Sequence, residues 1–152
     1  MKAFILAAAT VLFSSTVAVA GSPVTETWTG TGSLYDAHRN LISRYQLEVN
    51  HSTADRSTAV RVTLADGSVR EINCVSNGDE LKWAKTCDNG MSGGGYYFER
   101  GIISDYVEDG AGTAQATTMI FDSDDSMRIL RTQLVNGDAN LFFVESLSRT
   151  SK

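Results

Sequence analysis

The chain has 152 residues, 18 acidic and 13 basic side chains, two histidines and a formal charge of −5. The charges are dispersed and form no basic stripe, which argues against nucleic acid or anionic lipid as a partner. A metal centre would want more ligands than two cysteines and two distant histidines offer, so neither a metal nor a cofactor is expected.

The N-terminus reads MKAFILAAATVLFSSTVAVAGSP. Lys2 precedes an apolar run, Ala3 to Phe13, and Ala18-Val19-Ala20 forms an A-x-A cleavage signal. The pattern predicts a cleaved signal peptide over 1–20 and one domain over 21–152, secreted or periplasmic. A retained membrane anchor fits less well, because Ser14, Ser15 and Thr16 interrupt the short run. No later stretch predicts a stable membrane helix, and no cysteine follows the cleavage site to carry a lipid. Removing residues 1–20 leaves 132 of the 152 residues and takes Lys2 away, so the charge falls from −5 to −6. That length suffices for one closed core.

The remaining chain alternates short runs with turn signals. Asp66-Gly67, Asn77-Gly78, Asn89-Gly90, Asp109-Gly110 and Asn136-Gly137 favour hairpin turns, because Gly and Asn tolerate positive φ. "DAHRN" (36–40) and "DSDDS" (122–126) read as longer polar turns. Strands are predicted near 25–36, 41–51, 58–65, 69–75, 81–87, 95–103, 113–121, 126–135 and 139–148. In "LISRYQLEV", Tyr45, Leu47 and Val49 share an apolar face, as do Val60, Val62 and Leu64 in "AVRVTLA". The fold class is therefore all-β: an antiparallel up-and-down meander of about eight to ten strands. Closing it into a barrel removes exposed edges and leaves room for one ligand. The segment "DELKWAKT" (79–86) has the strongest helix preference.

Cys74 and Cys87 are expected to form a disulfide in an oxidising compartment. A two-residue turn at Asn77-Gly78 conflicts with that bond, since it pairs Cys74 with Leu81 and sets Cys87 opposite Ser68. A helical turn over 79–85 relieves the conflict. Gly90-Met91-Ser92-Gly93-Gly94 fits G-x-S-x-G, but Gly95 and three aromatics follow Ser92, where a nucleophile elbow needs a helix. No histidine follows it either, so it reads as a Gly-rich turn entering an aromatic strand, with no catalytic residue. The acidic "DSDDS" lacks the glycine and distal Glu of a calcium loop. Asn50-His51-Ser52 is a glycosylation sequon whose use depends on the host.

"TETWTGTGSLYD" contains Trp28-x-Gly30-x-Gly32 at the start of the first strand, followed by a Tyr-Asp turn. Here the chain resembles the lipocalin-like β-barrels of the calycin group. The resemblance implies that Trp28 plugs one end of a barrel and is packed by an arginine from a late strand, with Arg128 and Arg131 as candidates. Haem-binding relatives show a similar motif but use a late histidine, which this chain lacks, so haem is not implied.

The expected function is a non-enzymatic, lipocalin-like protein binding a small apolar or amphipathic ligand. Trp28, Tyr45, Trp83, Tyr96, Phe98 and Phe143 are the candidate ligand-binding residues. The alternative is a secreted interaction or inhibitor module with a filled core. A membrane barrel would need the apolar faces of 41–49 and 60–64 to point outward. The last hairpin, turning at Asn136-Gly137, pairs Leu130 with Phe143 and Arg128 with Glu145. Both its faces are then largely apolar, which predicts a contact outside the core through Phe142 and Val144 or Leu141 and Phe143, with another segment of the chain, a second copy or a protein partner.

Overall fold

The computed structural model describes residues 25–79, 81–98 and 101–151. The predicted signal peptide lies outside them. Ten antiparallel strands follow in order: β1 (Thr25–Asp36), β2 (Leu41–Ser52), β3 (Ser57–Leu64), β4 (Val69–Gly78), β5 (Lys82–Cys87), β6 (Ser92–Phe98), β7 (Ile102–Glu108), β8 (Thr113–Ser123), β9 (Ser126–Val135) and β10 (Asp138–Ser151). Each pairs with its sequence neighbour, and β1 pairs with β10 to close the barrel. Among the described residues no helix is long and apolar enough to cross a membrane.

The period-two pattern sets the inner and outer faces. Tyr45, Leu47 and Val49 pair with Leu64, Val62 and Val60, and these residues face inward. This is the reverse of a lipid-facing barrel, which would turn them outward. Trp28, Tyr45, Leu47, Met127, Ile129 and Leu147 form the buried core, with Val49, Val60, Val62, Met119, Phe121 and Phe143 packed against it. Asn136 and Gly137 both have positive φ, the conformation a two-residue primed hairpin turn requires.

Four local expectations are corrected. The segment 95–103 is not one strand: β6 ends at Phe98 and β7 starts at Ile102, with Gly101 at φ 72° between them. Ser92 to Gly95 are part of β6 and not a turn leading into it. Among the described residues between β4 and β5 there is neither a two-residue turn at Asn77-Gly78 nor a helix. Gly78 pairs with Trp83, and the chain reverses beyond Asp79, whose carboxylate accepts hydrogen bonds from the Leu81 and Lys82 amides. This register sets Cys74 directly opposite Cys87, and the disulfide joins them across 4.0 Å of Cα separation. In the last hairpin a bulge between Ala139 and Leu141 shifts the expected pairing by one residue. Leu130 therefore faces Val144 on the outside, while Arg131 faces Phe143 on the inside.

Candidate functional site

The Trp28 motif has a steric explanation. On β1 the inner face carries Trp28, Gly30, Gly32 and Leu34. A Cβ at Gly30 would run into the backbone of β10, and one at Gly32 would overlap the Tyr45 ring. Gly32 thus lets Tyr45 cross from β2, over β1, to β10. There its hydroxyl donates to Glu145 Oε1 at 2.5 Å. Arg131, from β9, donates to Glu145 Oε2 through Nη2 at 2.6 Å and Nε at 3.2 Å. Burial, and then the neighbouring Glu145 carboxylate, raise the Tyr45 hydroxyl above the ordinary phenol range, so it remains a donor.

The residue packed on Trp28 is Arg149, not Arg128 or Arg131. Its guanidinium lies 4.7 Å from the Trp28 ring centroid, and its Nη1 lies 3.3 Å from Glu26 Oε1. Arg128 is held outside by both oxygens of Asp122, near the end of β8. Among the described residues no group of three acidic, His or Cys side chains could hold a metal.

A second crossing stands on the other side of the barrel. The inner face of β6 offers Gly93, Gly95 and Tyr97. The Trp83 ring lies over Gly95, where a Cβ would overlap it. Lys85 crosses the same glycine strand from β5 and reaches Asp105 on β7, with Nζ 2.7 Å from Oδ2. Asp105 pairs with Thr117, and Thr117 with Arg131. Lys85, Asp105, Thr117, Arg131, Glu145 and Tyr45 therefore form a polar belt around part of the inner wall. The acids are sealed: Glu145 keeps 1% of its side-chain exposure and Asp105 keeps 3%. The cations are less covered, at 17% for Arg131 and 20% for Lys85.

The six aromatics do not converge. Trp28 and Tyr45 are core residues, Phe143 packs against that core, and Trp83 sits on the inner face over Gly95. Tyr96 and Phe98 alternate out of phase with Tyr97 and face outward, 52% and 51% exposed. Of the belt residues only Tyr45 is among the candidate ligand contacts read from the sequence; the charged ones are not. Their signal was a charge in phase with apolar neighbours: Lys85 with Trp83, Asp105 with Ile103 and Val107, Glu145 with Phe143 and Leu147. Ser92 is exposed on β6 among glycines, and Asn50 of the sequon donates its side-chain amide to Glu48 within β2.

No family model matches the chain, and no curated protein matches it. Among solved structures it is similar to an S-type phycobiliprotein lyase from Guillardia theta, with a TM-score of 0.61 at 10% identity. The match covers 83% of this chain and 86% of that one. At this identity the likeness concerns the fold: a lipocalin-like antiparallel barrel. It also corrects the expectation that the chain is not an enzyme, because the neighbour with this barrel is a lyase. A sequence without a recognisable catalytic cluster was therefore no ground for excluding enzymatic work.

Proposed function

We propose that the chain is an exported lipocalin-like barrel whose lumen binds a small amphipathic molecule carrying an anionic group. The observation that carries this reading is the unequal burial within the inner ion pairs. Both carboxylates are covered while Lys85 and Arg131 keep access, so the belt offers donors and positive charge to whatever enters. Trp83, Tyr97, Ile103 and Phe143 share the inner wall and supply apolar surface for the rest of the ligand. A structural neighbour that is a phycobiliprotein lyase is compatible with a barrel that handles a small molecule. Export is supported by the A-x-A segment and by the Cys74–Cys87 disulfide, which suits an oxidising compartment.

The test is titration with cis-parinaric acid, a fluorescent carboxylate with an apolar tail, alongside its methyl ester. The acid should give a saturable rise in fluorescence, and Lys85→Gln should weaken the acid more than the ester. Absence of saturable binding by either probe refutes the reading. A second reading, self-association, has its own observation. Leu130 and Val144 pair on the outer face, and each is 45% exposed. Light scattering at micromolar concentration, with Val144→Ser as the control, should show a dimer mass that the variant loses; a monomer throughout ends it.

A further inference from the structure

We propose that the outer wall over β4 to β7 carries a separate site for a uronic acid residue of a glycan. A recess of about 560 Å³ has Asn77, Lys82, Ala84, Gly94, Tyr96 and Tyr106 among its lining residues. The register shows how it is built. Asn77 pairs with Ala84, Ala84 with Gly94, and Gly94 with Tyr106, forming one row across four strands on the outer face. Lys82 and Tyr96 pair in the adjacent row. The middle of the trench is therefore floored by the two smallest side chains, and its walls are aromatic, amide and ammonium groups.

This arrangement selects the chemistry of its occupant. The trench is open to water, so a wholly apolar ligand would leave half its surface hydrated and gain little. A pyranose instead has one C–H face that can lie on tyrosine and a rim of hydroxyls that stays in water. The Tyr106 ring is tied at its tip, where its hydroxyl donates to Glu108 at 3.2 Å. Lys82 is the charged side chain of the trench, with Nζ 5.6 Å from the Tyr96 ring centroid. A carboxylate on the sugar would meet Lys82 at one end and avoid Glu108 at the other. The acidic character of the whole chain, with a charge of −5, favours a single acidic residue over a long polyanion.

Digalacturonate and its neutral counterpart galactobiose are the probes, followed by amide NMR of the disulfide-bonded protein. Digalacturonate should shift the signals of Ala84, Gly94, Tyr96 and Tyr106, and bind about fivefold more tightly than galactobiose, the scale of an exposed ion pair. Lys82→Gln should erase that preference. Ala84→Trp, at an exposed position, should fill the trench and abolish both interactions, and Tyr96→Ala serves as a second variant if Ala84→Trp does not fold. Unmoved trench signals overturn the proposal. Equal binding of the two sugars, unaffected by Lys82→Gln, also overturns it.

Discussion

The barrel contains the same device twice, with different partners. In one half, β1 bears Gly32, Tyr45 crosses it, and the acid reached is Glu145. In the other, β6 bears Gly93 and Gly95, Lys85 crosses it, and the acid reached is Asp105. Each acid lies two strands from the residue that reaches it, and each crossing needs a strand without side chains in its path. The difference lies in how the acid is satisfied. Glu145 accepts hydrogen bonds from a phenol and a guanidinium, inside the apolar core. Asp105 has one ammonium partner, on a flexible chain that keeps water access. The first arrangement anchors the core, and the second leaves a charge that a ligand can meet.

The largest effect should separate the two acids. Glu145→Ala leaves Arg131 without its partner beside the core, and should cost about 3–5 kcal/mol in urea unfolding, the range for breaking a buried pair. Asp105→Ala should cost less than half as much, because Lys85 can return to water. Equal losses would show that the two halves are not different in kind.

Next comes the covalent staple. The disulfide joins β4 to β5, adjoining the Lys85 half. Replacing both cysteines by Ala should remove roughly 3 kcal/mol, the value expected for a loop of this length. Hydrogen exchange should then speed up in β4 to β6 before it changes in β1, β2 and β10. Uniform acceleration around the barrel would contradict this division.

A smaller effect tests the crossing itself. Gly32→Ala should cost about 1–3 kcal/mol through overpacking against the Tyr45 ring. In a Tyr45→Ala background the same change should be nearly neutral, because the ring it displaces is gone. Additive losses in the double variant would place the strain in the backbone instead.

The smallest effect lies at the β2–β3 turn, where Asp55 is fully exposed. Hydrogen bonds from the Ser52 and Ser57 side chains, and from the Ser57 amide, hold its carboxyl down at about 2. A lowered folded value stabilises the fold above the ordinary carboxylate range and is lost as pH falls through about 2. Asp55→Asn should therefore make the acid limb of stability against pH shallower between about pH 4 and 2. An unchanged limb would leave the turn without a role in acid stability.

Much of the fold was legible because hairpin turns and alternation are local signals. The pattern of Tyr45, Leu47 and Val49 gave the inner face of β2 directly, and Asn136-Gly137 marked a real turn. Pairing was less legible. The Asn77-Gly78 dipeptide looks like a turn, yet Gly78 extends β4 and Asp79 organises the reversal. One bulge near Asn140 was enough to place Leu130 and Phe143, expected to pair on one face, on opposite faces of the sheet. The site was harder still. Charges at inward positions look like errors in a strand pattern until a glycine strand two places away explains how they meet. Arg149 was missed as the packing partner of Trp28 because the pairing of β1 with the end of β10 has no local signature.

That pairing has a consequence for how the molecule is made. The first and last strands share the seam, so Trp28 finds Arg149, and Gly32 finds Glu145, only when nearly the whole chain is available. Until then β1 and the growing edge both present unpaired backbone groups, a template for joining another molecule. Closing contacts at such sequence separation is slow compared with local hairpins. Ring closure is therefore the step at which a chain truncated before β10 would aggregate instead of folding, however sound its remaining nine hairpin-linked strands.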